Sequence, residues 1–201
     1  MKKVIYLAGG CFWGLEHLMQ SLRGVVDAES GYANGRGREL ANYDAVCTGL
    51  TGFRETVKVE YDTDEVSLET LLAAYFAVID PTLINRQGMD MGTQYQTGIY
   101  YTDEESREIV ERMAAEEKKK HPRFYVELRS LENFYPAGDE QIMVYEVTGR
   151  VIPPSGIPSA VSAVVSNVGT VAAVYDAMNG IPLPQKIITV TGEVEVPVIV
   201  S

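Results

Sequence analysis

A cysteine stands near the start of the sequence between two glycines and two large aromatic residues, in the segment GGCFWG at 9–14. The preceding run VIYLA is typical of a buried strand, and the following residues carry apolar side chains at helical spacing. We therefore expect Cys11 at the first turn of a helix, where free N–H groups and the helix dipole lower a thiol pKa. The neighbouring glycines would let a substrate approach the backbone. A buried, inert cysteine is the alternative, and position alone does not decide between the two.

Two later segments combine phenols with carboxylic acids. NYDAVCTGLTGFRE contains Tyr43, Cys47 and Glu55, and NRQGMDMGTQYQTG contains Asp90 and Tyr95 in a stretch too polar and glycine-rich for a core. A reductive displacement at a polar oxide needs such groups, because a protonated acid and phenols bind the oxygen while an aromatic wall holds an apolar methyl. Many other reactions use the same residue types, so the composition of these segments alone does not select one.

Alternating strands and helices position these residues. The apolar patterns and capping signals predict strands over 4–10, 55–62, 96–103 and 125–136, and helices over 12–22, 67–79 and 104–120. Ser67 is the expected N-cap of the second helix, and Pro81 ends it. DAESGYANG, at 27–35, has the composition of a turn-rich connector. This alternation predicts a layered α/β or α+β domain.

Composition and charge exclude several classes of protein. The 201 residues are 46% hydrophobic and carry a net charge of −11, which disfavours nucleic acid and anionic membranes. No stretch reaches the ~18 uninterrupted apolar residues of a membrane helix. Two cysteines are too few for a secreted disulfide framework. Together with two histidines they are also too few for a convincing zinc site. We expect a cytoplasmic monomer without a metal.

Six segments, in order and spacing, resemble the peptide methionine sulfoxide reductase A (MsrA) family. They are GGCFWGLE, SGYANG, YDAVCTGLTGFRE, VEYD, DPTLINRQGMDMGTQYQTGIYY and FYPA, and the resemblance runs from about residue 4 to about residue 137. It implies an α/β roll, a two-layer sandwich in which helices cover a mixed central sheet. It also implies a repair enzyme that reduces methionine S-sulfoxide, free or in proteins, with no bound cofactor.

The resemblance also assigns roles to residues. Cys11 would attack the sulfoxide sulfur and become a sulfenic acid, with Glu55 as the protonated acid that donates to the oxygen. Tyr43 and Tyr95 would bind the same oxygen, and Asp90 would not touch the substrate but would organise water or the loop near Cys11. Phe12 and Trp13 would hold the substrate methyl. Burial in an aromatic pocket would raise the pKa of Glu55.

Departures from the family concern pocket residues and recycling. Phe53 and Ile79 replace histidines that are common in the family, Met89 replaces a common asparagine, and the sequence has no cysteine after Cys47. Cys47 is expected to be a packed structural thiol and, less readily, a resolving one. Regeneration of Cys11 would then come from an external thiol, such as glutathione with glutaredoxin, or from thioredoxin acting through Cys47; dithiothreitol would serve in vitro.

The last third of the chain differs in character. From about residue 138 it is poor in lysine and arginine and rich in valine, alanine, glycine and proline. We predict a catalytic domain over 1–137 and an α/β extension over 138–201, which resembles a fragment of the RnfC subunit of ion-pumping electron-transport complexes. The extension lacks the glycine-rich nucleotide loop and the cysteine clusters of that family. A rival hypothesis therefore makes the chain a non-catalytic module whose tail docks on a membrane redox complex.

Overall fold

The computed structural model of the chain describes residues 1–137. The predicted extension over 138–201 and its resemblance to RnfC lie outside the described residues. The strands are β1 (Lys2–Ala8), β2 (Val25–Ala33), β3 (Arg54–Asp62), β4 (Arg86–Gln87), β5 (Asp90–Met91), β6 (Gly98–Tyr101), β7 (Glu127–Ser130) and β8 (Phe134–Pro136). The helices are α1 (Phe12–Gln20), α2 (Tyr43–Cys47), α3 (Leu68–Val78) and α4 (Glu104–Lys118), and short 3-10 helices cover Arg38–Leu40 and Thr93–Tyr95.

One mixed sheet organises these elements, in the order β7-β6-β1-β3-β2-β8. β6 and β7 run parallel, and the other neighbouring strands run antiparallel. In β1, Ile5 and Leu7 join the core that α1, α3 and α4 cover. Ala8 instead packs with Tyr100 on the opposite face. Since successive side chains of a strand point to opposite faces, the helices lie on one face, and the predicted two-layer arrangement is confirmed.

The helix boundaries follow the capping signals in the sequence. The Ser67 hydroxyl accepts a hydrogen bond from the Thr70 N–H at 3.2 Å, as predicted for an N-cap. Ile79 leaves the helical conformation two residues before Pro81. In α4, acids occupy the first turn and Lys118 the last, which suits the helix dipole. Within residues 1–137, no helix combines the length and apolar character that a bilayer crossing requires.

The predicted connector at 27–35 is wrong, because β2 occupies most of it. β2 pairs with β3 on one side and with β8 on the other. A Cβ on Gly31 would collide with Phe134, so this glycine serves close packing and not a turn. Small and polar residues locally favour a turn, and pairing on both edges overrides that preference.

The single strand predicted over 125–136 is two strands at opposite edges of the sheet. Glu127–Ser130 adds β7 beside β6, and Phe134–Pro136 adds β8 beside β2. Between them, the Asn34 side-chain oxygen accepts a hydrogen bond from the Glu132 N–H at 2.7 Å. The helix α2 is also absent from the sequence prediction, since five residues are too short to show a periodicity.

Candidate active site

The turn that carries Cys11 is fixed by close packing around its glycines. β1 ends at Ala8, and Cys11 is the N-cap of α1. Gly10 has φ +87°, and a Cβ there would lie 2.6 Å from the Gln87 Cβ. A Cβ on Gly9 would meet Leu15 at 3.0 Å and Ile79 at 3.2 Å. These two glycines therefore admit protein neighbours and not, as the sequence suggested, a substrate.

Glu55 is the most deeply buried acid near this turn. It lies in β3 opposite Tyr32 of β2, and its residue is only 2% exposed. One carboxylate oxygen accepts a hydrogen bond from the Phe12 N–H at 3.1 Å, which ties β3 to the start of α1. Burial raises the pKa of Glu55 to about 8, and the charge of Asp90 adds to the effect. The raised pKa predicted from the sequence is confirmed, and Glu55 is mainly protonated at neutral pH.

Cys11 does not have the lowered pKa that the helix start predicts. The N–H groups of Trp13 and Gly14 do favour the thiolate, but burial and the charges of Glu55 and Asp90 act more strongly. The pKa of Cys11 is raised to about 12. The prediction was wrong because desolvation by the surrounding elements raises the thiol pKa more than the start of the helix lowers it. When Glu55 carries its proton, its share of the increase vanishes, so the two groups are coupled.

Two tyrosines and Asp90 complete the group around Cys11. Tyr95, in the 3-10 helix Thr93–Tyr95, is 7% exposed, and its pKa is raised by burial and by the charges of Glu55, Asp90 and Cys11. Tyr43 opens α2 and is partly exposed; burial raises its pKa to about 12, with Cys47, Glu55 and Cys11 contributing. The structure thus brings together all five residues predicted for catalysis.

Asp90 reaches the site through a two-stranded hairpin. β4 pairs with β5 so that Gln87 stands opposite Asp90. The Gln87 Cβ packs against Gly10, and its carboxamide accepts from the Asp80 N–H and donates to the Asp80 carbonyl, each at 2.8 Å. The sequence prediction missed Gln87, since nothing in the sequence shows that this amide would support the turn before Cys11.

The aromatic residues after Cys11 differ from each other in exposure. Phe12 is 3% exposed, and its ring lies 5.7 Å from the Tyr32 ring and 5.8 Å from the Trp13 ring. Trp13 is only partly buried. Tyr32 continues the aromatic layer to Phe53, with 6.4 Å between ring centroids. Tyr32 was also missed as a site residue, because it lies in the segment interpreted as a connector.

The departures from the family pattern occupy distinct places. Phe53 is fully buried and packs edge-on against Tyr135 at 5.9 Å. Ile79 is buried against Gly9. Met89 lies in the β4–β5 hairpin and is 76% exposed. The first two therefore support the aromatic layer and the Cys11 turn, whereas the third faces solvent.

Cys47 is exposed, which contradicts the expectation of a packed thiol. It ends α2, of which only Val46 is buried. One turn earlier, the Tyr43 hydroxyl lies close enough to the Cys47 thiol to oppose the rise in pKa that burial causes there. The described part of the chain contains no set of three histidine, cysteine or acidic side chains arranged to hold a metal ion.

Comparisons with known proteins agree with this geometry. The sequence model of the family described as "Peptide methionine sulfoxide reductase" matches residues 3–146. The chain belongs to this family. One curated relative is the peptide methionine sulfoxide reductase MsrA of Clostridium acetobutylicum, which is 48% identical over 68% of this chain and 84% of that protein. Another is MsrA of Clostridium perfringens, which is 47% identical over 68% of this chain and 87% of that protein. As a member of this family, the chain is a peptide-methionine (S)-S-oxide reductase.

Solved structures of this family share the fold. Reduced Mxr1 from Saccharomyces cerevisiae is 30% identical with a TM-score of 0.66, covering 78% of this chain and 91% of that one. Methionine sulfoxide reductase A of Corynebacterium diphtheriae is 30% identical with a TM-score of 0.62, and the match covers 84% of this chain and 82% of that one. Mxr1 has also been solved in complex with Trx2. In that structure the matched chain is 25% identical with a TM-score of 0.51, and the match covers 69% of this chain and 83% of that one.

Proposed function

We propose that Cys11 is the nucleophile that reduces methionine S-sulfoxide and that Glu55 is the acid assisting it. The supporting observation is a carboxyl group that is 2% exposed, has a pKa of about 8 and interacts with the cysteine. A neutral acid beside a thiol suits a substrate whose oxygen must accept a proton while its sulfur is attacked.

The proposed step conserves atoms and electrons. The Cys11 sulfur attacks the sulfoxide sulfur while Glu55 gives its proton to the sulfoxide oxygen. The S–O bond of the substrate then breaks, the oxygen passes to the Cys11 sulfur, and the products are a thioether and a Cys11 sulfenic acid. The substrate sulfur gains two electrons and the cysteine sulfur loses two. The new S–OH group carries the sulfoxide oxygen and the proton from Glu55, and the thiol proton restores the neutral Glu55. Because burial raises the pKa of Cys11, the thiol loses its proton as the bond forms and not beforehand.

The neighbouring side chains suit supporting roles. Tyr43 and Tyr95 have raised pKa values, so their hydroxyls stay protonated and donate hydrogen bonds to the sulfoxide oxygen. Burial keeps Glu55 protonated by raising its pKa, and the charge of Asp90 adds to this effect. Trp13, with Phe12 behind it, forms the wall for the substrate methyl.

Regeneration of Cys11 requires an external thiol. The complex of Mxr1 with Trx2 supports thioredoxin as the reductant of this chain as well, and glutathione with glutaredoxin is the other proposed donor. Cys47 is exposed and close to Tyr43, so it is accessible for a resolving role, which stays a prediction. The reducing cytoplasm is the proposed compartment. The docking hypothesis concerns residues 138–201 and also stays a prediction.

A single-turnover experiment without reductant tests the assignment. The enzyme is mixed with N-acetyl-methionine S-sulfoxide or R-sulfoxide, and dimedone then traps sulfenic acid for mapping by mass spectrometry. We expect one equivalent of thioether from the S epimer and an adduct on Cys11. An adduct confined to Cys47, or equal reduction of both epimers, would refute the proposal. A Cys11–Cys47 disulfide without an adduct would keep Cys11 as the nucleophile and make Cys47 the resolving thiol.

A further inference from the structure

Three large apolar side chains stand exposed on the loops beside Cys11. Leu50 is 81% exposed, Met89 is 76% exposed and Met91 is 71% exposed. We call these three residues the apolar rim. Large apolar groups that border a binding site, exposed together, mark a surface that is covered when a partner binds.

Packing attaches one part of the rim to the reacting groups. Met89 and Met91 flank Asp90 in the β4–β5 hairpin, whose Gln87 packs against Gly10. The hairpin is closed by a hydrogen bond from the Gly92 N–H to the Asn85 carbonyl at 2.9 Å. The two methionines are thus held next to the turn that carries Cys11.

Leu50 lies in the loop between α2 and β3. The carbonyl of Gly49 accepts a hydrogen bond from the Thr93 hydroxyl at 3.0 Å. Thr93 begins the 3-10 helix that ends at Tyr95. Leu50 therefore follows a residue that is hydrogen-bonded to the segment carrying Tyr95, which attaches this part of the rim to the site as well.

We propose that the apolar rim binds the residues on either side of the methionine sulfoxide in a polypeptide and favours apolar ones. This inference rests on the proposed function, in which the sulfoxide reaches Cys11. Extended neighbours of that residue lie only about 3.5 Å per residue away along the chain, so they must cross the site's border. The occupant is an unfolded segment, since folded proteins seldom expose consecutive apolar side chains.

Two features of the chain favour this occupant. Methionine is unbranched and polarisable, so a rim with two methionines adapts to many different sequences. The net charge of −11 also disfavours segments with acidic neighbours. A reductase acting on many proteins needs tolerance of sequence together with attraction for apolar chain, and the rim supplies both.

Steady-state kinetics of the full chain with dithiothreitol test the proposal. The double variant Met89→Ser with Met91→Ser is compared with wild type and with Val26→Ser, a control for an exposed valine of β2. The substrates are N-acetyl-methionine S-sulfoxide amide and pentapeptides with leucine or serine around the sulfoxide. We expect the KM for the leucine peptide to rise about tenfold in the double variant, the KM for the amide to stay unchanged, and Val26→Ser to match wild type.

Binding separates this inference from the catalytic one. Isothermal titration of Cys11→Ser with the leucine and serine peptides, with and without the rim substitutions, needs no turnover. Preference for the leucine peptide that disappears with the rim supports the proposal even if Cys11 is not the nucleophile. Equal binding of both peptides, an equal loss for the amide, or an effect seen only when thioredoxin replaces dithiothreitol would each overturn it.

Discussion

The acids on the two faces of the sheet have different partners, although Glu55 and Arg54, which pairs with the second acid, are adjacent in β3. On the helix face, Glu55 accepts a bond from the Phe12 N–H, and no lysine or arginine among the described residues forms an ion pair with it. On the opposite face, Glu127 accepts hydrogen bonds from an Arg54 Nη and from the Tyr100 hydroxyl, both at 2.9 Å.

The two acids differ both in burial and in whether a cation lies beside them. Without one, burial raises the pKa of Glu55 to about 8, and the group becomes an acid that can donate a proton. With Arg54 beside it, Glu127 ties the edge strand β7 to the interior strand β3 as a structural ion pair. The same residue type is thus suited to chemistry on one face and to stability on the other.

The largest effect is expected from Cys11→Ser on the helix face. We expect turnover of methionine S-sulfoxide with dithiothreitol to fall at least about 1,000-fold, because a hydroxyl does not replace the thiol in this redox step. A stereospecific assay with wild type as reference measures the loss. Unfolding of the variant by urea, compared with wild type, verifies that the fold is retained. Turnover within tenfold of wild type would show that Cys11 on the helix face is not the nucleophile.

Matched substitutions at the two acids sharpen the comparison directly. Glu55→Gln should slow the single-turnover rate about 100- to 10,000-fold, the usual range for loss of a general acid, with a smaller effect on substrate binding. Glu127→Gln should leave that rate within about threefold, since this acid lies on the other face. Equal rates for wild type and Glu55→Gln would show that Glu55 is not the acid.

The pH dependence of stability should also separate the two faces. Glu55 has a pKa of about 8 in the folded chain against 4.5 as its ordinary value, so the folded state binds the proton more tightly. Its stabilising contribution is complete below pH 4.5 and is lost as the pH rises through about 8. We expect the free energy of unfolding to fall by a few kcal/mol between about pH 5 and pH 8.

Urea unfolding at several pH values measures this fall. In Glu55→Gln the decrease should largely disappear, because the amide does not titrate. Glu127→Gln serves as the control and should keep it. A wild-type curve that is flat over this range would contradict a raised pKa at Glu55.

The smallest effect is expected for stability on the opposite face. Glu127→Gln at neutral pH should lower the free energy of unfolding by about 1–3 kcal/mol, because Arg54 loses its charged partner while its side chain stays 16% exposed. Chemical denaturation of both proteins gives the difference. A loss below the error of the measurement would contradict a stabilising ion pair between Arg54 and Glu127.

Much of the fold and of the site could be predicted from local patterns. The alternation of ETVKVEYD predicted β3, and Ser67 and Pro81 bounded α3 because capping and proline effects act within one turn. The five catalytic candidates were identified through ordered motifs. β2 was missed since its small residues favour a strand only when partners pack on both sides.

The sequence by itself determined which groups are available: one thiol at a helix start, an acid at the head of a strand, and phenols in two loops. Only the tertiary structure decided their protonation and exposure. Distant segments bury Cys11 and bring Glu55 and Asp90 beside it, so the pKa of that thiol rises although the helix start would lower it. Cys47 became exposed because α2 buries little beyond Val46. Burial and charge act through space, and local sequence patterns do not contain them.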